Sequence, residues 1–226
     1  MKITINKCPY EVNKKLYKYS ELELTPGTTI LVGRNGCGKS TLLHQIEQYC
    51  KKNGIHCFKY DNYTEGGKEA HETYSFLEDF DSLGATLFHS EGEQIFYNFG
   101  QTCRKIGKYI SAVPKEDPVI IMLDAMDSGL DCDGISQILE LYPVMKNTHD
   151  GEIYLLITAN NYGIIHKQKC IDVATGKEMY FDNYEDFKKF IDKQYKGLRG
   201  WVRPLFNYNI TEVKLWLKKL LKTKNS

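Results

Sequence analysis

The sequence has no long apolar run, so no segment of it is expected to span a membrane. The longest purely apolar stretch near its middle is Val119–Leu123, far short of the ~20 residues that cross a bilayer. The opening residues, MKITINKCPY, also lack the apolar core of a secretion signal. We therefore expect a cytoplasmic protein without an integral membrane segment.

Paired cysteines and clustered histidines are missing as well. The seven cysteines are scattered, odd in number and without a CxxC pair, and the six histidines show no ligand spacing. This distribution argues against a disulfide framework and against a zinc site. The sequence nevertheless has 226 residues, 42% of them hydrophobic, which is enough for one sizeable core.

Charge is unevenly distributed along the chain. The segment 193–226 holds nine Lys or Arg and one Glu, a net charge of +8, so the preceding 192 residues sum to −7 against the total of +1. We predict a domain boundary at residue 192, between a body over 1–192 and a basic, aromatic C-terminal extension over 193–226. An amphipathic helix is predicted in the extension from the i, i+3, i+4, i+7, i+8 spacing of its apolar residues: Val213, Trp216, Leu217, Leu220 and Leu221.

That helix leaves several roles open. Its lysines suit nucleic-acid phosphates, and its apolar stripe suits a protein partner or a membrane surface. Equally, the stripe could pack on the acidic body of the same chain, which is the commonest fate of such helices.

Short strands and helices alternate along residues 1–192. Strands are predicted around residues 2–7, 20–24 and 28–32, then at 55–60, 119–124 and 153–158, with helices after residue 40 and over 91–110, 135–142 and 184–191. Continuous apolar strands separated by helices indicate a parallel sheet covered on both faces. We expect an α/β fold with an antiparallel β portion at its N-terminus.

A glycine-rich loop follows the strand that ends at Val32. Residues 33–40 read GRNGCGKS and fit the pattern G-x-x-x-x-G-K-[ST] at every fixed position, between a strand and a helix. Such a loop surrounds phosphates with backbone N–H groups, its lysine reaches the β- and γ-phosphates, and its hydroxyl ligates Mg²⁺. The predicted ATP-binding residues are Gly33, Arg34, Asn35, Gly36, Cys37, Gly38, Lys39, Ser40 and Thr41.

Three further motifs follow in order. SEGEQ begins at Ser90, an apolar strand ends in the acid Asp124, and SGLD ends at Asp131. Together with the glycine-rich loop they resemble the ATP-binding-cassette family, which has a signature segment, a strand acid and an S-G-L-D loop in this order. The resemblance covers about 28–190 and implies a P-loop ATPase fold in which Ser40 and Asp124 hold Mg²⁺.

The resemblance also implies a head-to-tail homodimer that sandwiches ATP between the glycine-rich loop of one subunit and the signature of the other. Ser90, Gly92 and Glu93 would then contact the nucleotide, and Asp131 would lie at the interface. Ser90 follows Asn62 by only 28 residues, which leaves no room for a long coiled coil. The chain therefore looks most like the soluble heads of SMC and recombination-repair ATPases, without the coil, and less like a transporter subunit.

The catalytic positions depart from the family. Where the family has a glutamate after the strand acid this chain has Ala125, and its switch histidine is replaced by Asn160 in the sequence TANN. A methyl group cannot activate water. Asp127, three residues beyond Asp124, could act as the base or orient the water; alternatively no base exists and Asp127 is an ordinary loop acid.

Two functions remain open on these residues. One is a slow ATPase that dimerises around ATP to act on nucleic acid or on a protein partner, by analogy in DNA repair. The other is an ATP-gated switch without productive hydrolysis. A transporter subunit is the least favoured.

Overall fold

The computed structural model of the chain describes residues 1–6, 16–62, 91–127 and 132–196. Ser90, Asp131 and the segment from residue 197 onward, to which roles are assigned above, lie outside these ranges. The chain divides into two compact units, Met1–Phe187 and Lys188–Ser226, and the architecture below is that of the first. The predicted domain boundary at residue 192 stays a prediction.

Within the described residues, six strands form one sheet in the order β4-β5-β6-β3-β7-β8. The first five of these run parallel, and β8 is antiparallel to β7. A separate sheet consists of β1 and β2, paired antiparallel. The strands are β1 (Lys2–Thr4), β2 (Glu21–Glu23), β3 (Gly27–Val32), β4 (His56–Asp61), β5 (Val119–Asp124), β6 (Ile153–Thr158), β7 (Cys170–Asp172) and β8 (Glu178–Met179).

Five helices are described. They are α1 (Lys39–Asn53), α2 (Glu91–Ala112), α3 (Cys132–Lys146), α4 (Tyr162–Ile165) and α5 (Tyr184–Lys196). No helix in these ranges is long and apolar enough to cross a membrane. The parallel sheet flanked by helices and the small antiparallel sheet confirm the predicted fold class.

Two neighbouring interior strands of the sheet are buried along their whole length. Every residue of β5 and of β6 is buried, as expected for a parallel sheet covered on both faces. Their register pairs Val119 with Ile153 and Leu123 with Ile157, so the two strands end at the same edge. β3 lies on the other side of β6, and its end also reaches that edge.

The small sheet shares a core with α1. Ile3 of β1 and Leu22 of β2 belong to one buried cluster with Leu42 and Ile46 of α1 and with Met122 of β5. The apolar residues of α1 recur at helical spacing, which gives the helix one buried face. This packing fixes the N-terminal sheet beside the helix that follows the glycine-rich loop.

Three helices differ from the sequence-based expectation. α5 ends at Lys196, beyond the predicted end at residue 191. α3 continues beyond the predicted end near residue 142, through Pro143 to Lys146. A proline removes one helical hydrogen bond, but Met145 in the last turn is buried and holds that turn in place. The short helix α4 was not predicted; Asn161 caps it by accepting a hydrogen bond from the Gly163 N–H at 2.8 Å.

Candidate nucleotide-binding site

The glycine-rich loop connects β3 to α1 at the carboxyl edge of the sheet. Gly38, the N-cap of α1, has φ 98° and ψ 23°, a left-handed conformation that favours glycine. A Cβ at this position would lie 2.7 Å from Leu16 Cδ2 and 3.0 Å from the Tyr17 hydroxyl. The Tyr17 hydroxyl donates to the Gly38 carbonyl at 2.8 Å. Both backbone conformation and close packing therefore require glycine here.

Lys39 lies across the loop. Its Nζ donates to the Gly33 carbonyl at 2.8 Å, to the Arg34 carbonyl at 3.4 Å and to Asn160 Oδ1 at 2.9 Å. Burial lowers the pKa of Lys39 below its usual range, and the nearby Cys37, Asp127 and Asp124 oppose that change. The ammonium group of Lys39 therefore binds neutral oxygens beside the glycine-rich loop, where a phosphate would be close enough to attract it.

Asp124 ends β5 and is buried, with 2% of its surface exposed. Thr158, the last residue of β6, donates its hydroxyl to Asp124 Oδ1 at 2.5 Å and accepts the Ala125 N–H at 2.8 Å. The Ala125 carbonyl accepts the Asn62 amide Nδ2 at 3.2 Å. Ala125 itself has φ 54°, a left-handed conformation that is uncommon for residues other than glycine. The ends of β4, β5 and β6 therefore meet at this one residue.

Asp127 binds the backbone that follows β6. Its Oδ2 accepts the Asn160 N–H at 2.5 Å and the Asn161 N–H at 2.8 Å. The Asn160 side chain in turn donates from Nδ2 to Asn35 Oδ1 at 2.9 Å. A hydrogen-bonded chain therefore runs from Asp127 through the backbone and side chain of Asn160 to the glycine-rich loop.

These groups surround a cavity of about 640 Å³, within the range of small-molecule and cofactor sites. Its described lining brings together most of the residues predicted to bind ATP or Mg²⁺ or to act in catalysis: Asn35, Gly36, Gly38, Lys39, Ser40, Thr41, Asp124, Asp127 and Asn160. Leu16, Ala125, Thr158 and Ala159 complete the lining. Ser40 and Asp124 offer the hydroxyl and carboxylate oxygens that Mg²⁺ prefers, so the donor set fits the ion.

Three predicted contacts of the glycine-rich loop are not among the described lining residues: Gly33, Arg34 and Cys37. Their roles toward ATP stay predictions. Burial raises the pKa of the Cys37 thiol, so this group stays protonated at neutral pH. Asp131 lies outside the described residues.

The predicted signature segment is described only in part. Gly92 and Glu93 belong to the first turn of α2, and Ser90 lies outside the described residues. Their roles toward a second subunit therefore stay predictions.

The sequence did not single out Thr158 or Leu16. Thr158 reads as the end of an apolar strand, IYLLIT, and its contact with Asp124 depends on which strands are neighbours. Leu16 comes before β3 in the sequence, and only the fold brings it to the cavity. For Thr158 the sequence offers one signal: the predicted strands 119–124 and 153–158 each end in a polar residue.

The chain is similar to one known family of ATPases. The model of the family described as "ATPase family associated with various cellular activities (AAA)" matches residues 29–170, more than half of the chain. A search of curated proteins finds no match.

Two solved structures are among those to which the chain shows some similarity. One is cbiO1 from Clostridium perfringens, part of the ABC transporter complex cbiONQ, with 16% identity, a TM-score of 0.47, and coverage of 90% of this chain and 96% of that chain. The other is Stu0660 of Streptococcus thermophilus, with 9% identity, a TM-score of 0.40 and 76% coverage of both chains.

Proposed function

The chain belongs to the ATPase family associated with various cellular activities, and we propose that its P-loop ATPase domain binds magnesium and ATP, closes as a homodimer and hydrolyses ATP slowly. One observation supports this most strongly. The glycine-rich loop, Lys39, Ser40 and Asp124 line a single cavity at the carboxyl edge of a parallel sheet, where ligands bind in open α/β folds.

Each group has a separate task in nucleotide binding. The N–H groups at the start of α1 lie at the positive end of the helix dipole and bind the phosphate oxygens. Ser40 and Asp124 would hold Mg²⁺, and the ion would supply positive charge beside the β- and γ-phosphates. Leu16 adds an apolar side chain to the lining, which suits the nucleoside rather than the phosphates.

Lys39 and Asn160 exchange partners when phosphate enters. Lys39 Nζ now donates to Asn160 Oδ1 and to loop carbonyls, and a phosphate anion attracts the ammonium group more strongly than these neutral oxygens do. Release of Lys39 leaves the Asn160 side chain at the cavity wall, where its amide can contact the γ-phosphate. A shift of the Asn160 side chain on ATP binding would thereby move the backbone that Asp127 binds.

Slow turnover follows from the acids in the cavity. Asp124 and Asp127 are the carboxylates of its described lining. Asp124 is assigned to the metal, and Asp127 Oδ2 accepts two backbone N–H groups. Ala125 offers a methyl group where the cassette family has a glutamate. Hydrolysis would therefore proceed by positioning and charge stabilisation, without an efficient base.

The same contacts favour a second candidate, an ATP-gated switch without productive hydrolysis. Asp127 Oδ2 already accepts the Asn160 and Asn161 N–H groups, so its carboxylate holds the chain after β6. In that case ATP binding alone would close the dimer.

The dimer and its targets come from the resemblance and from charge. The signature that begins at Ser90 would contact the nucleotide bound by the other subunit, with Asp131 at the interface. The basic extension 193–226 would bind nucleic acid or a protein partner in the cytoplasm, as in repair-type heads. A transporter subunit is the least favoured assignment.

Nucleotide-dependent assembly and turnover test the proposal together. We would measure ATP binding, phosphate release and light-scattering mass for the wild type, Lys39→Ala and a matched control, Lys52→Ala, on the exposed last turn of α1. The expected result is a mass near twice the 26.1 kDa chain with ATP, and slow turnover that only Lys39→Ala abolishes. Dimers with ATP but no phosphate release would identify the switch. Wild-type protein that binds no ATP would contradict the proposed function.

A further inference from the structure

Thr158 bonds with one hydroxyl to two adjacent residues at the end of a neighbouring strand, Asp124 and Ala125. It is 1% exposed at the end of β6, between the strand of the glycine-rich loop and the strand of Asp124. Its hydroxyl lies 2.5 Å from Asp124 Oδ1 and 2.8 Å from the Ala125 nitrogen.

The direction of these hydrogen bonds is fixed by chemistry. A threonine hydroxyl has one proton and two lone pairs. The Ala125 N–H can only donate, so the hydroxyl accepts that bond and gives its own proton to Asp124. Asp124 must then accept through Oδ1.

The second carboxylate oxygen keeps its capacity for a cation. Among the described residues, Thr158 is the hydrogen-bond donor to Asp124, and Asp124 also lines the cavity that contains Ser40. With Oδ1 bound to Thr158, Oδ2 is the oxygen left for Mg²⁺ or one of its waters. Thr158 thereby favours one orientation of the Asp124 carboxylate.

We propose that Thr158 is a positioning residue for the magnesium site, which orients the Asp124 carboxylate and holds Ala125 in its left-handed conformation. Its effect is exerted through Asp124 and Ala125, the two residues that share its hydroxyl. The inference rests on the magnesium and ATP binding proposed above. Outer residues that orient metal ligands typically change metal affinity by about 10- to 100-fold when they are replaced.

The test measures binding rather than turnover. A fluorescent ATP analogue is titrated onto the full chain in EDTA, and then Mg²⁺ is titrated at a fixed nucleotide concentration. Thr158→Val removes the hydroxyl with little change in shape, and Thr158→Ser restores it. Thr102→Val is the matched control, because Thr102 is equally buried but donates to the Asn98 carbonyl one turn earlier in α2.

We expect Thr158→Val to raise the Mg²⁺ concentration at half-saturation by at least about tenfold, while nucleotide affinity in EDTA changes less than about twofold. Thr158→Ser and Thr102→Val should titrate like the wild type. If Thr158→Val does not fold, Thr158→Ala, which leaves room for a water, is measured against the same limits.

Three outcomes would overturn the inference. They are an unchanged Mg²⁺ titration for Thr158→Val, an equal loss of affinity with and without Mg²⁺, or a Thr158→Ser variant as impaired as the valine. A wild type whose nucleotide binding does not respond to Mg²⁺ would instead contradict the proposed function. The two failures are therefore distinguishable.

Discussion

Substitution of Asp127 separates two roles of its carboxylate, a general base and a clamp on the chain after β6. In the structure Oδ2 accepts the N–H groups of Asn160 and Asn161 at 2.5 and 2.8 Å. Asp127→Asn keeps an acceptor oxygen for these groups but cannot take a proton from water at neutral pH. Asp127→Ala removes both capacities. The pair of variants therefore gives different results for the two roles.

The contacts set the expected magnitudes. A hydrogen bond to a charged group contributes roughly 1.5–3 kcal/mol to stability, and both bonds here are solvent-exposed, which lowers their value. We expect Asp127→Ala to lose about 1–2 kcal/mol in total. In a chain of this size that corresponds to a fall in Tm of roughly 2–8 °C. Asp127→Asn, with a neutral acceptor, should lose less.

Turnover distinguishes the roles most sharply. Loss of a general base costs about 10²–10⁴ in rate, and it would affect both variants equally. For a clamp we expect Asp127→Asn to stay within about fivefold of the wild type, a change of ~1 kcal/mol in the barrier, and Asp127→Ala to be slower because the Asn160 backbone is released. The assay is single-turnover phosphate release with Tm measured on the same samples. A stable Asp127→Asn variant slowed by 100-fold or more would refute the clamp.

Two further predictions concern neighbouring chemistry. Ala125→Glu places a carboxylate at the position where the ATP-binding-cassette family has a glutamate. We expect phosphate release to rise at least about tenfold in this variant and to stay unchanged in Ala125→Gln. No increase in Ala125→Glu would mean that the left-handed backbone at residue 125 directs the side chain away from the water. Cys57 is half-buried, and its hydrogen bond with the fully buried Cys50 lowers the pKa of Cys57 while the pKa of Cys50 is raised. Iodoacetamide should therefore alkylate Cys57 before the other described cysteines, and the rate should begin to rise at a lower pH than for an ordinary cysteine. Peptide mass mapping measures the order of alkylation, with Cys57→Ser as the control. Alkylation of Cys37 before Cys57 would contradict the prediction.

The fold was predictable because its central strands are buried on both faces. Such strands read as continuous apolar runs, and the predicted bounds 119–124 and 153–158 agree with β5 and β6. The end of α3 was not predictable in the same way, since a proline is a local signal and the burial of Met145 is a tertiary one. Local signals located the elements, and packing decided where one of them ends.

The candidate site also combines residues that local motifs identify with a residue that only the tertiary fold identifies. The glycine-rich loop and Asp124 follow from motifs in contiguous sequence, and the structure places them on one cavity. Thr158 lies 34 residues beyond Asp124, and nothing local connects the two. Their contact requires that β5 and β6 be neighbours in register, which spacing in the sequence does not determine.

Asp127 is close in sequence to the position of the missing base, but in the structure its carboxylate binds the chain after β6. Proximity to Asp124 made Asp127 the natural substitute for the absent glutamate. The backbone, however, turns through a left-handed conformation at Ala125, whose N–H and carbonyl are bound by Thr158 and Asn62. Two residues later the Asp127 carboxylate reaches the N–H groups that follow β6. The same turn that separates Asp127 from the strand acid thus gives it partners of its own, so on the proposed function the acid would couple Asn160 to the nucleotide site rather than activate water.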